Sequence, residues 1–193
     1  MDVIKDALDV SYHTELRRLL TNNSFPWYFT SSSAYGVLEN KDHFSFAHIL
    51  CKNGVPCSEY YKNFEEGILS LLTQFYIPLN RFTRARLGLI TRSEDYINHN
   101  PHIDTTRPHG VILYYLTDSD APTYLYNTKF TPSEEDSYDK GVEQSRSITY
   151  NDVKIKVIPE ANKAIMFNGA HYHSSSKPIK YPYRIVLNIN FSL

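Results

Sequence analysis

From Arg81 to Leu193 the chain is a succession of short β-prone runs broken by turn residues. The runs are Arg84–Ile90, Asn98–Asp104, Val111–Thr117, Thr123–Asn127, Lys154–Ile158, Lys163–Phe167 and Tyr183–Phe191. No helical pattern lies between them, which predicts an antiparallel sandwich or barrel. The last run is the most regular. Ile185, Leu187, Ile189 and Phe191 share one side, and Arg184, Val186, Asn188 and Asn190 share the other. The first side is apolar enough to lie under helices. The second puts a guanidinium and two amides inside the sandwich, where polar groups need partners. A binding cavity would supply them.

The first third reads differently. Residues 2–20 carry Val3, Ile4, Ala7, Leu8, Leu16, Leu19 and Leu20 at helical spacings, with a break expected near Ser11–Thr14. Residues 21–57 are rich in turn formers and aromatics. The clearest helix is 58–76, where Tyr61, Phe64, Ile68, Leu71, Leu72 and Phe75 fall on one face and Ser58 is the expected N-cap. Pro78 helps to end it. The polar, acidic stretch 128–147 is long for a connection and is expected to act as a lid or to lack fixed structure. With 193 residues, no repeat and no clean linker, one domain is expected. Residues 1–80 would be its helical support and 81–193 its β core.

Charge and cysteine content exclude several classes. Lys and Arg total 20 against 21 Asp and Glu, which argues against a protein held to nucleic acid by bulk charge. No run of about 18 apolar residues exists to span a membrane. The opening MDVIKDALDV has no basic start followed by an apolar stretch, so it does not read as a secretory signal. Cys51 and Cys57 are too few for a disulfide scaffold and match no zinc knuckle. Reduced thiols in a cytoplasmic protein are expected, in a host cytoplasm if the source is viral. The oligomeric state is not encoded in any of this.

The residues able to carry chemistry cluster late in the chain. His102-Ile103-Asp104 puts an imidazole and a carboxylate two apart, based ~6–7 Å from each other on one face of a strand. That pair can grip a divalent metal from adjacent corners. Asn168-Gly169-Ala170-His171-Tyr172-His173 follows an apolar strand, and a turn there can swing a histidine over the first pair. His171 and His173 compete for that role. Two histidines and one carboxylate leave three octahedral positions open, which suits non-haem Fe(II). Arg184, buried with no acidic residue nearby in sequence, is expensive unless a carboxylate ligand or a distant acid pairs with it.

Together, HxD, a distal histidine and an arginine on the final strand resemble the Fe(II)/2-oxoglutarate-dependent dioxygenases, in particular the prolyl-hydroxylase-like branch. The phrases Pro101-His102-Ile103-Asp104, Leu113-Tyr114-Tyr115-Leu116-Thr117-Asp118-Ser119-Asp120, Pro159-Glu160-Ala161-Asn162-Lys163-Ala164-Ile165-Met166-Phe167 and Tyr183-Arg184-Ile185-Val186-Leu187-Asn188 follow that family in order. The similarity covers roughly Arg81–Phe191, and its texture is similar to small oxygenases encoded by bacteriophages. It implies a mainly β fold: a double-stranded β-helix, or cupin-like jelly roll, with N-terminal helices packed on one sheet.

The resemblance also implies a chemistry. His102, Asp104 and His173 would ligate Fe(II); His173 is preferred because family members place this ligand six residues past the strand phenylalanine, here Phe167. Arg184 would pair with the distal carboxylate of 2-oxoglutarate, helped by Tyr115. Thr123 stands where members have a Gly-Gly-x-Thr turn, although here the text is Asp120-Ala121-Pro122-Thr123. O2 would be the second cosubstrate, succinate and CO2 the by-products, and a C–H bond of a peptidyl proline, an amino acid or another small substrate the target. Halogenating relatives lack the carboxylate that Asp104 supplies, so hydroxylation or another oxidation is implied. Arg92, Tyr96, Arg107 and Asn188 are candidate substrate contacts; Arg92 and Tyr96 stand near the place of a second family tyrosine. His13, His43, His48, His99 and His109 read as surface or core residues. Two alternatives compete: a noncatalytic β-sandwich with a vestigial metal site, and a zinc hydrolase using the same three ligands.

Overall fold

The computed structural model describes residues 1–31, 43–131 and 138–193. Eleven strands and three helices alternate unevenly along the chain: β1 Asp2–Ile4, α1 Val10–Leu20, β2 Tyr28–Thr30, β3 Ser45–Lys52, β4 Val55–Pro56, α2 Tyr61–Gln74, β5 Phe82–Thr91, β6 His109–Tyr115, β7 Thr123–Lys129, α3 Tyr138–Ser145, β8 Val153–Val157, β9 Lys163–Asn168, β10 His171–Ser175 and β11 Tyr183–Ser192. All pairings are antiparallel. The large sheet runs β1-β9-β6-β11-β5-β3-β2, with β4 on β3, and a small sheet runs β10-β7-β8.

The period-two pattern of β11 sets the layers. Ile185, Leu187, Ile189 and Phe191 pack with Leu16 and Leu20 of α1 and Phe64, Ile68, Leu71 and Leu72 of α2. This is the expected helical support on one sheet face. The opposite face of the large sheet meets the small sheet through Val111, Leu113, Tyr115, Leu125, Val157, Ile165, Phe167 and Val186. The inward polar residues of β11 therefore sit between two sheets, where water is scarce.

The N-terminal third departs from its sequence pattern in four places. Asp2–Ile4 is not helical; it forms an edge strand, with Val3 opposite Ile165 of β9. Sheet pairing outweighs the helical spacing of Val3 and Ile4. The helix starts at Val10, where the Asp9 side chain accepts from the Ser11 and Tyr12 backbone N–H groups at 2.9 and 3.1 Å. It runs through Ser11–Thr14 without a break. Ser58 does not cap α2, since Tyr60 occupies that position. The Ser58 hydroxyl instead accepts from Tyr60 N–H at 3.1 Å and meets His48 Nε2 at 2.7 Å. The aromatic stretch 21–57 contains β3, a central strand between β5 and β2.

Two further differences lie near the cavity. Asn98–Asp104 is no regular strand; it touches β10 and its extension only through isolated bridges, Asn98 to Ser176 and His102 to His173. Pro101 cannot donate to a ladder, which keeps the segment irregular. Within 128–147, residues 132–137 lie outside the described residues, while Tyr138–Ser145 is helical. That helix is docked: the Tyr172 hydroxyl donates to Gly141 O at 2.9 Å and to Gln144 Oε1 at 3.1 Å. No helix among the described residues is long and apolar enough to cross a membrane.

Candidate active site

The irregular segment before β6 and the strand β10 build one half of the site. His102 N–H donates to His173 O, and His173 N–H returns to His102 O, both at 2.9 Å. The pairing places the two rings 4.5 Å apart, centroid to centroid. Asp104 reaches the same point, and its carboxylate oxygen and one nitrogen of each ring lie within 4.8 Å of one another.

The ring protons are disposed of by the backbone. His102 Nδ1 faces Asn100 O at 3.3 Å, and His173 Nδ1 faces His171 O at 3.2 Å. With Nδ1–H donating to a carbonyl, each ring presents a bare Nε2 lone pair. His173 Nε2 is buried and has no hydrogen-bond partner. Burial, reinforced by His173, pushes the His102 pKa down to about 4. Burial likewise lowers that of His173. Both rings are therefore neutral at pH 7, the state a metal requires.

Asp104 is held as a carboxylate. Burial alone would raise its pKa, but His173, Arg84, His102 and the Asn190 amide outweigh it and pull the group well below the usual carboxylate range. Asp104 Oδ2 accepts from Asn188 Nδ2 at 3.1 Å and from Asn190 Nδ2 at 2.8 Å. Arg84 Nη1 stands 3.7 Å from Oδ1 and also donates to Asn190 Oδ1 at 3.2 Å. Two neutral imidazoles, one carboxylate and an orphaned nitrogen fit a divalent ion, and no other described group of three potential ligands converges in this way.

His171 does not join them. The register of β10 on β7 shifts between His171 and His173, and His171 Nδ1 meets Tyr126 O at 2.9 Å. Two residues apart on an ideal strand would share a face; the irregularity separates them.

The second half of the site lies on β6, β7 and β11. Arg184 is 3% exposed and donates from Nη2 to Thr123 Oγ1 at 2.7 Å. Tyr115, fully buried, donates its hydroxyl to the same oxygen at 2.9 Å. Burial raises the Tyr115 pKa, so it remains a donor. The Arg184 Nε is buried without a partner, and no described carboxylate lies within ion-pair distance of this guanidinium. Thr123 thus sits at the centre of the cluster despite lacking the two glycines before it.

One cavity of about 80 Å³ joins both halves; His102, His173, Thr123, Arg184, Val186 and Asn188 are among its walls. Arg92, Tyr96 and Arg107 do not line it. Arg92 and Arg107 are exposed, and the Tyr96 hydroxyl bonds that of Tyr124. His109 is buried on β6 with its Nδ1 on Arg107 O at 2.8 Å. Sequence reading missed Arg84 and Arg86 of β5. The signal was available: Arg84 and Arg86 alternate with Ala85 and Leu87, a basic face opposed to an apolar one.

No protein-family model and no curated protein matches the sequence. Solved structures do. An oxidoreductase of the 2OG-Fe(II) oxygenase family from Burkholderia pseudomallei superposes with a TM-score of 0.61 at 14% identity, covering 98% of this chain and 84% of that one. A Trichoplax adhaerens prolyl hydroxylase, bound to a peptide fragment of the hypoxia inducible factor oxygen degradation domain, gives 0.62 at 18% identity, covering 99% and 82%. A Pseudomonas putida prolyl-4-hydroxylase gives 0.56 at 11% identity, covering 100% and 92%. The fold is a double-stranded β-helix. In this double-stranded β-helix the small sheet covers the inner face of the large one, and the cavity opens between them.

Proposed function

We propose that this protein is an Fe(II)- and 2-oxoglutarate-dependent oxygenase that hydroxylates a C–H bond of a peptidyl proline, an amino acid or another small substrate. His102, Asp104 and His173 would hold the iron through two Nε2 atoms and one carboxylate oxygen. When bound, the iron and 2-oxoglutarate would supply the oxidising chemistry, with O2 consumed and succinate and CO2 released. The chain's own work is placement. Asn188, Asn190 and Arg84 fix the Asp104 carboxylate. The backbone carbonyls of Asn100 and His171 fix the ring tautomers.

The observation that carries the reading is Arg184. A fully desolvated guanidinium without an acid is costly, and it shares a cavity with His102 and His173. A dicarboxylate would pair with its fork while Tyr115 and Thr123 supply hydroxyls to the same end. A zinc hydrolase has no use for such a clamp, and a vestigial binding module has no reason to keep it together with three converging ligands. The free cysteines Cys51 and Cys57 agree with a cytoplasmic setting.

Anaerobic addition of Fe(II) and 2-oxoglutarate should produce a weak visible charge-transfer band, and admission of O2 should release succinate. Absence of both the band and succinate would end the oxygenase reading.

A further inference from the structure

Arg86 is a second basic group of the cavity wall, besides Arg184, that no described carboxylate pairs with at ion-pair distance. It lies on β5 directly opposite Asn188 of β11, so both side chains share the inward face about 5 Å apart at their bases. Both line the cavity. Arg84, two residues away, is engaged by Asp104 and Asn190. The single carboxylate of Asp104 already serves Arg84, two amides and the ligand cluster. Among the described residues, Arg86 makes no hydrogen bond and no ion pair. Burial, and then the adjacent Arg84, work against its charged form, and Asp104 offsets them only in part. An anion would relieve both.

Asn188 adds a second, opposite requirement. Its Nδ2 must face Asp104, because an ionised carboxylate only accepts. Its Oδ1 therefore points away, and it is buried without a donor. The cavity wall thus presents an unanswered cation and an unanswered acceptor side by side. A ligand that satisfies both carries an anion and an N–H donor in close succession. A free α-amino acid has them on one carbon.

We propose that the primary substrate is a free α-amino acid, with its carboxylate on the Arg86 guanidinium and its ammonium on Asn188 Oδ1, next to the metal ligands. This rests on the oxygenase reading above and narrows it from peptide, amino acid or other small molecule to one class. A peptidyl residue could offer its amide N–H to Asn188 Oδ1 but has no free carboxylate, and would leave the Arg86 charge as it stands. Arg86 is then a binding residue that determines specificity, separate from the Arg184 end where 2-oxoglutarate is placed.

The test uses full-length protein loaded anaerobically with Fe(II) and 2-oxoglutarate. It is titrated with the protein α-amino acids, with the matching amines that lack the carboxylate, and with the N-acetyl forms that lack the ammonium. At least one amino acid should perturb the charge-transfer band, and its amine and N-acetyl forms should not. Arg86→Met should keep the band and weaken that binding about 100-fold, with Arg86→Lys retaining part of it. The proposal is overturned if no amino acid perturbs the band, if amines or N-acetyl forms act equally well, or if Arg86→Met loses the band itself. Isothermal calorimetry with the same ligands on metal-free protein separates the two readings. A wild type without a band contradicts the oxygenase assignment. Amino-acid heat present in the wild type and lost in Arg86→Met still supports this binding site, and equal heats in both reject it.

Discussion

His102 and His173 face each other as a hydrogen-bonded antiparallel pair, each donating its backbone N–H to the other's carbonyl at 2.9 Å. They are far apart in sequence, yet this one bridge brings their rings together. The bridge thus sets His173, and not His171, beside His102 and Asp104.

His173→Ala should weaken Fe(II) or Co(II) binding by more than about 100-fold, beyond what losing an outer-shell partner costs. His171→Ala should change it by less than about threefold, since its Nδ1 is turned to Tyr126 O. Metal titration followed by calorimetry distinguishes them. Equal losses in both variants would contradict the assignment of His173.

Arg184→Leu should raise the 2-oxoglutarate dissociation constant by about 100-fold, in keeping with a lost buried charge pair of several kcal/mol. Metal affinity should stay within a few-fold, because Arg184 touches Thr123 and not the ligands. Both constants can be read by titrating metal first and 2-oxoglutarate second. A matching collapse in metal affinity would count against the division of the site into two halves.

Asn190 does not line the cavity but donates to Asp104 Oδ2 and accepts from Arg84. Asn190→Ala should lower metal affinity by about 10- to 100-fold while leaving the fold and the 2-oxoglutarate end in place. The metal dissociation constant, measured beside a far-ultraviolet dichroism spectrum, checks this. Unchanged affinity would make the asparagine a packing residue only.

The metal-free protein should lose stability in mild acid. Burial depresses the His99 pKa to about 3, followed by the effects of His43 and Arg184, and that of His102 to about 4. Unfolded histidine titrates near 6.5. The unfolded chain thus binds more protons between these values, so stability is full above about pH 6.5 and falls as pH drops toward 4. For buried His99 the loss between pH 7.5 and 4.5 should be on the order of 2 kcal/mol. Urea midpoints at the two pH values test it, and His99→Gln should flatten the difference.

How much of this was legible in sequence depends on how local the cause was. The faces of β11 followed from strict alternation, and Phe64, Ile68, Leu71 and Leu72 marked α2 by helical spacing. The candidate ligands His102, Asp104 and His173 were legible as residue types in order. What escaped reading was decided by distant chain. Val3 and Ile4 are a strand only because β9 offers an edge. Asn98–Asp104 has β-prone residues but meets only bridging partners. The choice between His171 and His173 turns on a register shift against β7, which neither histidine encodes. Arg86 carries a local signal, the basic face it shares with Arg84 opposite Ala85 and Leu87.

The solitary guanidinium of Arg184 also bears on the lifetime of the polypeptide. Without a counter-anion the folded chain carries an uncompensated interior cation, so the ligand-free form is the more easily opened one. A dicarboxylate lodged there favours the closed form by mass action, in proportion to its concentration. Supply of such a small acid would then govern resistance to proteolysis.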